Sequence, residues 1–198
     1  IARPFVGEWP NYTRTSNRHD FSLEPPEDTM LDILKNNGKE VLAVGKINDI
    51  FAGKGITEHV YTKNNDEGVE KTLEFMKRRF EGICFINLVD FDMLYGHRQD
   101  VDGYAAAIAA VDEWLPQFLS EMQEDDLLII TADHGCDPTY QGTDHTREHI
   151  PILVWHKGMK QLTDIGTRKT YADIAATCAE WLGLEERFGA ESFAALLK

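Results

Sequence analysis

Cysteine is scarce: Cys84, Cys136 and Cys178 are the only three in 198 residues. They are too few and too unpatterned for a disulfide scaffold, and they predict free thiols in a reducing compartment, the cytoplasm. Long apolar runs are missing as well. None approaches the ~20 residues of a membrane-spanning helix, so no membrane partner is expected. Positive charge is short, with 20 Lys and Arg against 34 Asp and Glu, a net −14 with His neutral. That balance argues against an open nucleic-acid-binding face, because phosphates would meet like charge. It leaves room for a small phosphate ester in a local site, since a bound cation inverts the local sign. There is no internal repeat and no low-complexity tract. The opening, IARPFVGEWP, has no starting Met and resembles neither a signal peptide nor a presequence. It reads as mid-chain sequence, and a fragment of a longer protein is expected. What is present is globular: 42% apolar and 10% aromatic residues exclude simple disorder. The length suits one domain with a piece of a second.

Residues 1–24 differ in texture from the rest. Pro4, Gly7, Pro10 and the run NYTRTSNRHD predict irregular or edge-strand structure, and EPPED at 24–28 reads as a hinge. Met30, Leu31, Ile33 and Leu34 predict a short helix stopped by Asn36-Asn37-Gly38. The chain then alternates. Residues 41–44 are an apolar run closed by Gly45, read as a buried strand. Val69, Leu73, Met76 and Phe80 mark one face of a helix over 67–80. A strand is expected over 83–89. Tyr104, Ile108, Val111, Leu115, Phe118 and Met122 predict a long amphipathic helix over 101–122, bent near Pro116. Further strands are expected at 127–131 and 152–155. Thr170-Tyr171-Ala172-Asp173 looks like a capping box before a helix ended by Gly183. Unbroken apolar runs separated by helices predict an α/β fold, a mostly parallel sheet flanked by helices. In such sheets the ligand site lies beyond the carboxyl ends of the strands.

Two strands end in unusual polar clusters, NLVDFDMLYGH at 87–97 and TADHG at 131–135, and DHTREH follows at 144–149. Four of the seven histidines fall in these segments. Asp92 and His97 are five apart across a turn that Gly96 can sharpen. Asp133 and His134 are adjacent, so within a strand they would point to opposite faces; at the strand's exit Gly135 lets the backbone turn and both converge. His145 returns on the next loop. Together these are two carboxylates and three imidazoles at one sheet edge. Without thiolate, the set suits Mn, Zn or Fe more than Ca, and five ligands suggest two ions. Taken singly, each Asp or His reads more readily as a turn residue or helix cap than as a ligand. Three clusters at neighbouring strand exits would waste charge unless something cationic joins them. His149 reads as a loop or outer residue, while His19, His59 and His156 are as readily solvated as not. Cys136 reads as an idle thiol, Asp90 as structural, and Asp137 and Asp144 as residues that order the loop.

These segments resemble phosphopentomutases of the prokaryotic type, members of the alkaline phosphatase superfamily. TADHG marks only the superfamily; VDFDMLYGHR with NRHD is specific to the mutases, and ARPFVGE, TRTSNRHD and DHTREHIP extend the match over essentially the whole chain. The resemblance implies an alkaline phosphatase-like core over 25–198, with 1–24 as the end of a cap domain and hinge. It implies two Mn(2+) ions, one held by Asp92, His97 and His145, the other by Asp133 and His134. It implies an isomerase that interconverts ribose (or deoxyribose) 1-phosphate and 5-phosphate through a phosphothreonine and a sugar bisphosphate. The motifs for that Thr and for a further Asp ligand are not in this sequence, so the resemblance is to the second half of the family's protein. No catalytic nucleophile is assigned in this chain, and the isolated chain is expected to be inactive. Arg14, Arg18 and Lys46 are the basic candidates for gripping the substrate's distal phosphate. The rival readings are a cofactor-independent phosphoglycerate mutase, a phosphodiesterase, or a non-catalytic metal-binding fragment.

Overall fold

The computed structural model describes residues 2–15, 20–186 and 188–198. Arg18 and His19 lie outside the described residues, as does the side chain of Arg14. The chain opens with a hairpin of β1 (Phe5–Glu8) and β2 (Asn11–Arg14), antiparallel, with Phe5 opposite Arg14 and Glu8 opposite Asn11. All four residues of β1 are exposed.

The core is built on β3 (Glu40–Val44), whose alternation sorts its side chains onto two faces. Val41 and Ala43 pack with Leu31, Leu34, Ile47 and Ile56, that is, against α1 (Met30–Asn36) and the one-turn α2 (Ile47–Ile50). Leu42 and Val44 pack with Phe75 of α3 (Asn65–Lys77). Both faces of one strand are therefore covered by helices, which is why its apolar run is unbroken. Val41, Leu42 and Val44 are 0% exposed. β3 is flanked by parallel partners, β4 (Glu58–Val60) on one side and β5 (Gly82–Ile86) on the other.

α4 (Val101–Glu121) follows, then β6 (Leu128–Thr131) and β7 (Ile152–Trp155), α5 (Ala172–Trp181) and a 3-10 turn at Ala194–Leu197. The α/β expectation holds, with one refinement: β6 and β7 pair antiparallel, Leu128 opposite Trp155. Apolar runs report burial and carry no strand direction.

Several boundaries shift for local reasons. The helix over 67–80 begins earlier, where Asn64 accepts the N–H of Glu67 at 2.9 Å, and stops at Lys77 before Arg79 adopts a φ of 52°. The strand expected to reach residue 89 ends at Ile86; Asn87 N–H still donates to Val44 O, and the chain then departs. α4 continues through Pro116. The capping box at 170–173 does not form. Asp173 turns its carboxylate to Arg168 Nε and Glu191 N–H, both at 3.1 Å, and fastens the C-terminal segment instead. At α1 the equivalent bond exists unforeseen: Asp32 accepts the N–H and hydroxyl of Thr29 at 2.7 and 2.8 Å. His156 is not solvated. It is 8% exposed, with Nε2 at 2.8 Å from Leu197 O and Nδ1 accepting from Gly158 N–H.

Candidate metal centre

β5 and β6 deliver their polar clusters to one place. The exit of β5 is pinned by a reciprocal pair: Asn65 N–H donates to Asp90 Oδ2 at 2.8 Å, and Asp90 N–H donates to Asn65 Oδ1 at 3.0 Å. Asp90 is thus committed to the start of α3. The next residues, Phe91–Gly96, form one π-helical turn, and His97 N–H bonds back to Asp92 O at 3.1 Å. In a π turn residues i and i+5 share a hydrogen bond, so Asp92 and His97 stand over one another. A simple glycine-sharpened turn was expected. Gly96 has no positive φ; it is small because a Cβ there would lie 2.1 Å from Cys136 Sγ.

Asp92 Oδ1 lies 3.1 Å from His97 Nε2 and 3.4 Å from His145 Nε2. Among the described residues, Asp92, His97 and His145 are the one group of three whose ligand atoms lie within 4.8 Å of one another. His97 Nδ1 is 2.5 Å from Thr143 O. A carbonyl only accepts, so Nδ1 carries the proton, and in the neutral ring Nε2 presents a lone pair. That lone pair faces a carboxylate oxygen. Asp92 Oδ1 is buried and has no hydrogen-bond partner among the described residues. Acceptors converging in this way are unfavourable unless a cation stands between them, so the donor set fits a divalent metal.

The β6 exit repeats the device. His134 Nδ1 lies 2.9 Å from Gly135 O, which leaves Nε2 on the side of Asp133, 3.7 Å from its Oδ1. Adjacent residues do converge here, although Gly135 acts through close approach and not through a positive φ. A Cβ on Gly135 would meet Thr146 O at 2.5 Å and Glu148 Oε2 at 2.4 Å. The His145 ring lies against that of His134 at 3.6 Å, and the His97 ring is 5.1 Å from it on stacked planes. The five expected ligands therefore occupy one continuous patch, with His145 common to both halves.

Other candidates sort by position. Lys46 Nζ is 3.1 Å from Met93 Sδ, beside the π turn. His149 and His59 are exposed, His59 edge-on to Tyr61. Asp137 orders its loop by accepting the N–H and hydroxyl of Thr139 at 2.8 and 2.6 Å. Burial, then the charges of Asp92 and Glu148, push the Cys136 thiol up, which keeps it a thiol and a poor ligand. Sequence reasoning missed the supporting contacts. Thr143 O and Gly135 O are backbone atoms and have no sequence signal. Tyr171 hydroxyl donates to Asp133 O at 2.6 Å, across 38 residues. Thr146 was visible only as one polar residue in DHTREH.

Residues 19–186 match the Metalloenzyme superfamily model. The chain is 61% identical over 193 residues to a phosphopentomutase of Lachnoclostridium phytofermentans, and 55% identical over 193 residues to one of Acetivibrio thermocellus. Each match covers 98% of this chain and 50% of the relative, so the chain spans about half the length of the curated relatives it matches. A crystal structure of Leishmania mexicana phosphoglycerate mutase at low cobalt concentration superposes with a TM-score of 0.60 at 21% identity, covering 82% of this chain and 38% of that one. This last likeness bears on the fold alone.

Proposed function

The chain belongs to the Metalloenzyme superfamily, and from that premise we propose that it is the carboxy-terminal half of a phosphopentomutase, interconverting ribose or deoxyribose 1-phosphate and 5-phosphate. The supporting observation is the triad in which Asp92 Oδ1 faces His97 Nε2 at 3.1 Å and His145 Nε2 at 3.4 Å with no hydrogen-bond partner of its own. The phosphopentomutase relatives favour this reading over a phosphoglycerate mutase, whose likeness stops at the fold.

In this reading Asp92, His97 and His145 hold one Mn(2+), and Asp133 and His134 hold the other. The ions supply Lewis-acid stabilisation of phosphoryl oxygens when bound. The chain's own residues prepare that chemistry. Thr143 O and Gly135 O fix the tautomers of His97 and His134, so that the neutral ring of each turns its Nε2 toward a carboxylate, Asp92 for His97 and Asp133 for His134. Lys46, together with Arg14 and Arg18, grips the phosphate that is not being transferred. Lys46 is suited to this by its place beside Met93, next to Asp92. Positioning and charge stabilisation dominate phosphoryl transfer, so little proton chemistry is asked of this half. The nucleophilic Thr belongs to the other half of the protein, and a sugar bisphosphate links the two half-reactions. Residues 1–24 serve as the end of a cap domain and hinge, which suits a hairpin with exposed side chains, and 25–198 as core. No helix among the described residues is long and apolar enough to cross a membrane; the three free cysteines suit a cytoplasmic enzyme.

Two experiments test this. Titrated with Mn(II) and followed by electron paramagnetic resonance, the chain binds one ion tightly, and Asp92→Asn and His145→Ala abolish that site; unchanged binding in both variants withdraws the ligand assignment. Mixed with the separately produced amino-terminal half of the L. phytofermentans relative, the chain converts ribose 1-phosphate to ribose 5-phosphate, while alone it does not. Turnover by the chain alone overturns the split.

A further inference from the structure

His145 needs an explanation for its placement. Its side chain is 50% exposed, and it sits on the irregular loop between β6 and β7, so packing does not fix its ring. Its neighbour Thr146 is fastened three ways. Thr146 N–H donates to Gly135 O at 3.1 Å in an isolated antiparallel bridge. Thr146 Oγ1 accepts from Asp137 N–H at 2.8 Å and donates to Glu148 Oε2 at 2.6 Å. The hydroxyl thus spends its proton on one loop strand and its lone pair on the other. Gly135 O is also the oxygen that holds His134 Nδ1 at 2.9 Å. A carbonyl has two lone pairs and can serve both donors at once. One atom therefore orients the His134 ring and anchors the residue after His145, and the two rings come to lie 3.6 Å apart at 13°.

We propose that Thr146 is a positioning residue that sets the spacing between the two metal-ligand sets, through the hydroxyl that ties it to Asp137 N–H and Glu148 and so holds the bridge it closes with Gly135; this rests on the metal reading above. Valine has the same shape without the hydroxyl. Thr146→Val leaves Asp137 N–H and the Glu148 carboxylate unpaired, and the contact between the two segments then hangs on the single Thr146 N–H bond. Thr146 N–H shares Gly135 O with His134 Nδ1, so loosening this segment disturbs the outer partner of a ligand, a change that typically weakens metal affinity by roughly 10–100-fold.

The test uses the full 198-residue chain and Mn(II) alone. Parent, Thr146→Val, Thr146→Ser and Asp92→Asn are titrated by electron paramagnetic resonance, and each metal-free chain is melted by circular dichroism. Imidazole ring protons of the metal-free chains are recorded by NMR. The expected result is about 10–100-fold weaker Mn(II) binding in Thr146→Val, restored affinity in Thr146→Ser, and His134 and His145 ring resonances that lose their stacking shift in the valine variant only. Three results overturn the proposal: parental affinity in Thr146→Val, a loss in Thr146→Ser equal to that in Thr146→Val, or a loss in Thr146→Val matched by a fall in its metal-free melting midpoint, which would mean general loosening. Asp92→Asn separates the two readings. If it binds Mn(II) as the parent does, the metal assignment itself fails. If it loses binding while Thr146→Val keeps it, only the role of Thr146 fails.

Discussion

Asp92→Asn should make the metal-free chain more stable and the metal-bound chain less so. Asp92 Oδ1 is closed off from solvent and unpartnered, with two imidazole nitrogens at 3.1 and 3.4 Å. A buried polar atom left unpaired costs about 1–3 kcal/mol. The Asp92 side chain as a whole is 31% exposed, so its charge is only partly desolvated and the low end applies, about 1 kcal/mol. An amide in its place donates to the ring nitrogens and recovers that amount. For a chain of this size 1 kcal/mol moves the melting midpoint by roughly 2–4 °C, upward in this case. With Mn(II) the order reverses. A ligand present at 100 times its Kd adds about 2.7 kcal/mol to the parent, roughly 5–10 °C, and the variant forgoes it. Thermal melts by circular dichroism at pH 8, once in EDTA and once in excess Mn(II), read both signs. The reasoning fails if the variant melts lower than the parent in EDTA, or if Mn(II) raises both chains alike.

Three further outcomes follow from the packing. Asp173 is 3% exposed; burial works to raise its pKa, but the Glu191 N–H and the Arg168 guanidinium outweigh it and hold the carboxyl below its usual range. A depressed folded pKa gives stability that is full above the unfolded value near 4 and is lost as pH falls through the folded one. Asp173→Asn should therefore lose about 3 kcal/mol at pH 7 in urea titrations, with the gap to the parent closing below about pH 4; an equal gap at pH 3 and pH 7 refutes it. Gly96→Ala places a Cβ 2.1 Å from Cys136 Sγ and should weaken Mn(II) binding, and adding Cys136→Ala should restore much of it, because Cys136 Cβ is 3.9 Å away. A double variant no better than the single one rules out the clash. Burial pushes the Cys84 and Cys178 thiols up to about 12 and about 11, so neither should react with a disulfide reagent in the native chain at pH 8, and labelling of either before urea unfolds the chain contradicts their burial.

The parts of this fold that repeat were legible in the sequence. Helical spacing placed α3 and α4 to within a few residues, and the apolar run at 41–44 marked the central strand because both its faces are covered. Polar clusters at strand exits pointed to Asp92, His97, Asp133, His134 and His145, which the structure brings into one patch. What escaped has no local signature. Glu58–Val60 pairs as a strand although two of its three residues are charged or polar, since β3 supplies its hydrogen bonds. The antiparallel run of β7 depends on where the loop before it returns. Asp173 was expected to cap its helix and went to Arg168, a choice made by a partner arriving from outside the helix. His156 stays undecided in the sequence because nothing nearby announces Leu197 O.

The π turn at Phe91–Gly96 makes chain length a chemical variable. In an ordinary α-helix five residues sweep about 500°, which would leave Asp92 and His97 about 140° apart around the axis. The extra residue in the wider turn closes that angle. Deleting one residue between them would instead leave an i, i+4 pair, which ordinary α-geometry places about 40° apart on one face, so a shorter segment could hold the pair without the wider turn. An insertion would make an i, i+6 pair, about 120° apart in α-geometry, and would part them. Substitution of Met93, Leu94 or Tyr95 can tune this segment, whereas lengthening it by one residue keeps every side chain and still parts the two ligands.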